Sequence, residues 1–251
     1  MSGHSKWATT KHKKAAIDAK RGKIFSKHAK LIALAAKMGG GDPATNASLA
    51  MAIERAKSEN MPNSNIERAV KSGTGELKDG AEISEVMYEG YGPGGIAVYI
   101  RVITDNKNRA VSDIRHLLTN SGGSMGTSGS VSWMFKRKGT LDVAVNGKDK
   151  DELMLQLIDL GAEDVKDMGD TLLAVADPVE FMGLKKKIEE AHIPFENAHI
   201  TYLPDTTVKI EEEDVARKVI NMMDKLDDND DVDEVYSNFD ISDALLEKVM
   251  S

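Results

Sequence analysis

Leu141-Asp142-Val143-Ala144-Val145 opens a stretch, residues 140–203, in which apolar runs and helical spacing alternate. Leu141–Val145 reads as a strand and Asp151–Leu160 as a helix. Asp164–Lys166 and Thr171–Ala176 read as strands, Val179–Ala191 as a helix, and Phe195–Leu203 as a strand that Pro204 closes. That order is βαββαβ, the split-βαβ or ferredoxin-like arrangement. After it, Thr207–Ile210 (strand), Glu213–Leu226 (helix) and Val232–Tyr236 (strand) form a set too small to stand alone.

Before residue 140 the pattern differs. Val86–Tyr91 and Ile96–Ile103 alternate as strands around Gly92-Pro93-Gly94-Gly95, and Asn108–Asn120 has helical spacing. A Gly/Ser-rich loop, Ser121–Ser130, leads to a further strand at Val131–Lys136. The expected partner of the small C-terminal set is this middle segment, so the ferredoxin-like unit interrupts it. Upstream, Ile24, Phe25, His28, Leu31, Ile32, Ala35 and Met38 mark one helix face, ended by Gly39-Gly40-Gly41. Leu49, Ile53 and Ala56 mark a second helix that Pro62 stops. Ser64-Asn65-Ile66-Glu67 has capping-box spacing for a third, ending at Gly73. The expected fold is therefore α+β in three domains. Residues 1–77 form a basic arm with three helices, 78–139 plus 204–251 a discontinuous α+β domain, and 140–203 the ferredoxin-like domain.

The 251 residues contain no cysteine, which excludes disulfide scaffolds, thiolate metal sites and cysteine nucleophiles. The longest apolar run, Leu31–Ala36, is far short of a membrane span, and no apolar h-region follows the basic N-terminus. A soluble, cytoplasmic protein without a membrane partner is expected. The net charge of −8 hides a strong asymmetry. Residues 1–40 carry ten Lys and Arg against Asp18 alone, a net of +9, while residues 78–251 carry a net of −16. Such a distribution points to a polyanion-binding arm on an acidic body.

Sites of chemistry are weaker. Gly122-Gly123-Ser124-Met125-Gly126 fits G-x-S-x-G, but a helix precedes it and a strand follows, the reverse of a nucleophile elbow. The loop also lacks the Lys-Ser/Thr pair of a phosphate-binding P-loop. Asp227-Asp228-Asn229-Asp230-Asp231 resembles the start of a calcium loop, yet Val232 and Asn238 stand where Gly and Glu are needed, so it reads as a solvated helix end. The six histidines show no zinc-ligand spacing, and His28 reads as a packed core residue. No enzyme activity, metal, cofactor or small-molecule substrate is expected.

The strongest signal is Gly3-His4-Ser5-Lys6-Trp7-Ala8-Thr9-Thr10-Lys11-His12-Lys13-Lys14. Trp7 lies before the first core-forming helix, with little to bury against, and a free indole can stack on an unpaired base. Lys6, Lys11, Lys13, Lys14, Lys20, Arg21, Lys23 and Lys27 would neutralise phosphates, with His4 and His12 hydrogen-bonding them. The competing reading folds Trp7 back on the helical domain and leaves the lysines solvated. A mitochondrial presequence would favour arginine, and only Arg21 is present in this stretch. Arg101, Lys107, Arg109 and Arg115, and Lys136-Arg137-Lys138 beyond Trp133, form smaller basic groups.

Several longer motifs carry a family likeness. Gly3-His4-Ser5-Lys6-Trp7, Ala19-Lys20-Arg21-Gly22-Lys23, Tyr88-Glu89-Gly90-Tyr91-Gly92-Pro93-Gly94-Gly95, Thr104-Asp105-Asn106-Lys107-Asn108-Arg109 and Gly122–Gly129 closely resemble the YebC/PmpR family. Thr9 departs from the Asn often found there. The resemblance implies a helical N-terminal domain, two α+β domains around a cleft, and no catalytic residues. It implies a regulator of gene expression, with DNA binding reported for some members and a link to the ribosome and translation for others. RNA at the ribosome is the first expectation, because an arm with an aromatic residue suits unpaired bases. Promoter DNA is the alternative.

Overall fold

The computed structural model describes residue 7 and residues 21–77, 82–147 and 149–250. Three helices come first: α1 (Arg21–Gly39), α2 (Ala47–Ser58) and α3 (Asn63–Gly73). Asn46 joins the first two. Its Oδ1 accepts from Leu49 N at 3.0 Å, capping α2, while its Nδ2 donates to Ala35 O and Gly40 O at the end of α1. One buried amide thus satisfies both helix ends. Ile32, Ala36, Leu49, Ala56, Met61, Ile66 and Ala69 form the core between the helices. Gly73 permits the closest approach: a Cβ there would lie 2.2 Å from the Ala33 carbonyl oxygen.

Two expectations fail here. The capping box at Ser64–Glu67 is not made, because α3 starts at Asn63 after Pro62 with no side-chain cap. Met38 is exposed, whereas Ala33 and Leu34, off the expected stripe, are buried. The cause is tertiary, since α1 packs on α2 and α3 on one side and meets a strand of the following sheet on another.

That sheet contains β1 (Ser84–Tyr91), β2 (Ala97–Thr104), β3 (Ser124–Met125) and β9 (Val232–Ser237), in the order β3-β1-β2-β9, all antiparallel. β2 is central and buried almost throughout. α4 (Lys107–Asn120), capped by Asn106, and α7 (Glu213–Asp227) cover one face. Residues from 96–118 and from 210–249 share one core there, including Ile100, Ile114, Met222, Val232 and Phe239. β8 (Val208–Ile210) and β10 (Phe239–Ile241) make a separate parallel pair, and α8 (Asp243–Met250) packs on α7.

The second large sheet holds β4 (Phe135–Ala144), β5 (Asp164–Asp167), β6 (Thr171–Ala176) and β7 (Phe195–Pro204), ordered β5-β6-β4-β7 and antiparallel. With α5 (Lys150–Asp159) and α6 (Phe181–Glu190) this is the ferredoxin-like βαββαβ unit. The strand expected at 131–136 and that at 141–145 are instead one strand from Phe135, entered through a 3₁₀ turn at Ser132–Met134. The Glu89 carboxylate causes the bend by accepting the N–H groups of Gly129, Val131 and Ser132 at 2.7, 2.7 and 2.9 Å. Tyr99, Phe135, Tyr202 and Tyr236 pack together where the two sheets meet.

Candidate nucleic-acid interface

On α1, Lys23, Lys27 and Lys30 fall at i, i+4 and i+7, and therefore on one face. That face lies against the C-terminal end of α7. Lys23 Nζ donates to Asp228 O at 3.1 Å, Lys27 Nζ to Asp227 O at 2.6 Å, and Lys30 Nζ to Asp230 O at 2.8 Å. A helix C-terminus leaves carbonyls unsatisfied and carries the negative end of the macrodipole, so Lys27 and Lys23 satisfy the last residue and the cap of α7, while Lys30 reaches the turn beyond.

Asp231 is the hub of this contact. Its side chain is 5% exposed, Lys30 Nζ lies 2.5 Å from Oδ1, and Arg109 Nη2 lies 2.9 Å from Oδ2. The Asp231 amide donates to Asn229 Oδ1, and its carbonyl accepts Ile103 N. Burial would raise the carboxyl pKa, but the hydrogen bonds from Lys30 and Arg109 outweigh it and hold the group below the usual aspartate range. The solvated helix end expected at 227–231 is therefore corrected: its last residue is a buried, doubly paired anion.

A second charged group lies where β2 and β9 run side by side. Arg101 pairs with Asp233 at 3.0 Å and with Glu85 at 3.3 Å. Burial drives the Asp233 carboxyl up to about 6, against the opposing pull of Arg101. Lys37 pairs with Glu82 at 2.7 Å and donates to Ile83 O, tying the end of α1 to the start of β1.

Trp7 requires a correction. It is 4% exposed and belongs to the core that contains Ile96, Val98, Ile100 and Ile220. It does have something to bury against, and that is the middle sheet rather than the helical domain. In this conformation its ring is not offered to a base. No local pattern in the sequence reveals this, because the partners lie about ninety residues away or more.

The expected phosphate-binding residues thus divide. Lys23 and Lys27 are engaged with α7. His4, Lys6, Lys11, His12, Lys13, Lys14 and Lys20 lie outside the described residues, as does the side chain of Arg21. Sequence reasoning passed over Arg55, Lys57, Arg68 and Lys71 on α2 and α3. All four are exposed and make no ion pair among the described residues, and Arg68 and Lys71 share a helix face. Charge balance gave them no signal, because residues 41–77 carry these four basic residues against five acidic ones. His28 is half-buried, and burial lowers its pKa.

The hydrolase geometry is not assembled. Ser124 is exposed on the two-residue strand β3, paired with Tyr91 at a sheet edge rather than raised on a strand-to-helix turn. Among the described residues no group of His, Asp or Glu is arranged to hold a metal ion, and no helix is long and apolar enough to cross a membrane.

Residues 5–76 match the TACO1/YebC protein N-terminal domain, and residues 83–239 match the TACO1/YebC second and third domain. A "Probable transcriptional regulatory protein" of Halothermothrix orenii is 51% identical over 251 residues, covering 99% of each chain. One of the same name from Geotalea uraniireducens is 52% identical over 250 residues, covering 100% of each. A crystal structure of a conserved hypothetical protein from Aquifex aeolicus superposes with a TM-score of 0.79 at 44% identity, over 92% of this chain and 94% of that one. With both parts of the chain matched and half of its residues identical to full-length relatives, this protein belongs to the TACO1/YebC family.

Proposed function

We propose that this protein is a non-enzymatic regulator of gene expression that binds nucleic acid through its basic N-terminal segment. It acts on translation at the ribosome through RNA contacts. The observation that carries this reading is the charge distribution, +9 over residues 1–40 against −16 over residues 78–251. Lysines that neutralise phosphates release the counterions condensed on the polyanion, while the acidic body is repelled by it. Because Lys23 and Lys27 are held by α7, the phosphates are met by Lys6, Lys11, Lys13, Lys14, Lys20 and Arg21, supported by the exposed Arg68 and Lys71.

The name shared by the relatives favours a second reading, duplex DNA at promoters. Sedimentation from lysate separates the two. The RNA reading predicts co-migration with ribosomes that survives DNase and is lost with RNase. Retention on one promoter duplex at physiological salt, with rejection of a scrambled duplex and no ribosome association, would establish the DNA reading in its place.

A further inference from the structure

The chain has two tryptophans, and the structure gives them opposite environments. Trp7 is buried, whereas Trp133 is 68% exposed. An exposed indole presents an apolar ring with a polar handle that a partner can use when the ring is held in place.

Trp133 is held in place rather than loosely displayed. Val131 and Phe135, on either side of it in the chain, are buried. The preceding loop is pinned by Glu89, whose carboxylate accepts three backbone N–H groups from residues 129–132. Trp133 Nε1 donates to Ser130 O at 3.2 Å, and Tyr91 Oη donates to the same oxygen at 3.2 Å. Two aromatic residues thus converge on one carbonyl at the end of a glycine-rich loop. Lys136 and Arg137 follow on β4, both exposed, within about 14 Å of chain from Trp133. Lys136 pairs with Asp205, and Arg137 makes no ion pair among the described residues.

We infer that Trp133, backed by Tyr91, is a stacking platform for an unpaired base of RNA, with Arg137 meeting the adjoining phosphate. The inference rests on the nucleic-acid reading above and names the chemistry of a second contact, remote in sequence from the basic arm. Fixing the ring beforehand removes the ordering cost that a mobile aromatic would carry. The polar, cationic flank favours a nucleotide over an apolar protein surface, since a base offers a π-face and a phosphate together.

The test is binding of a mixed-sequence single-stranded RNA 12-mer to the full chain, compared with an abasic oligomer of equal charge. Trp133→Ala should weaken binding to the 12-mer by about tenfold, the lower end of what one aromatic–base stack provides. Trp133→Phe should recover most of that loss, and neither variant should change affinity for the abasic oligomer or the urea midpoint. Fluorescence of Trp133 should be quenched by the 12-mer and not by the abasic chain. Equal binding of the 12-mer by wild type and Trp133→Ala overturns this inference alone, as does an equal loss on the abasic oligomer. Failure of the wild-type chain to bind either oligomer overturns the RNA reading and this inference together.

Discussion

Lys30 and Asp231 are 201 residues apart in the chain, yet Lys30 Nζ lies 2.5 Å from Asp231 Oδ1, and Arg109 closes on the other oxygen at 2.9 Å. One carboxylate therefore joins three segments: the first helix, the helix that follows β2, and the turn that leads into β9. Removing one member of a buried pair leaves the others without compensation, although the 48% exposure of Arg109 lets water screen part of the loss. Asp231→Ala should lower stability by about 1–3 kcal/mol, the range for a charged hydrogen-bonded group whose partners are partly solvated. A urea titration read against wild type gives the value, and an unchanged midpoint would show that the cluster is merely adjacent.

Two neighbouring aspartates respond to pH in opposite directions. The Asp233 carboxyl, driven up by burial to about 6, lies above its value in the unfolded chain. Its contribution is fully present when both states are protonated, and it is lost as pH rises through about 6. Asp231 has a depressed value, so its contribution is present above the ordinary aspartate range and lost as pH falls toward its folded pKa. Between pH 5 and 7 the Asp233 process works against that of His28, whose pKa burial lowers, so that the His28 contribution grows as pH rises. Asp233→Asn should therefore make the urea midpoint climb more steeply with pH over that interval than it does in wild type. Identical slopes for both proteins would remove Asp233 from the account.

Trp7 contributes to the middle core despite its position near the start of the chain. Trp7→Ala removes a large buried ring and should cost about 3–5 kcal/mol, with Trp7→Phe costing less. Cutting away the first twenty residues would carry the same penalty, so a truncation that abolishes binding would mix unfolding with lost charge. Thermal melts of Trp7→Ala and of a variant with neutralised lysines separate the two: the first should melt well below wild type and the second close to it.

How much of this was legible depends on how local each signal is. The βαββαβ order of residues 140–203 was readable because each element carries its own periodicity, from Leu141 to Leu203. The continuity of β4 was not, since Gly139 and Thr140 look like a break until Phe181 is found packed over Gly139. The basic helix was visible as charge, but the engagement of Lys23, Lys27 and Lys30 was not, because helix carbonyls carry no sequence signature. Trp7 was singled out correctly as unusual and placed in the wrong environment for the same reason. Its neighbours Ile96, Val98 and Ile220 become neighbours only in the folded chain.

The electrostatic claim is tested most directly by the salt dependence of RNA affinity in the full chain, with Trp7 left in place. Substituting Lys6, Lys11, Lys13 and Lys14 together by Ala should reduce the slope of log affinity against log salt by about 2.8, at about 0.7 for each single-strand phosphate contact. The circular dichroism spectrum and melting temperature should stay near those of wild type. A slope that is unchanged while affinity is also unchanged would contradict the assignment of the arm as the polyanion-binding element.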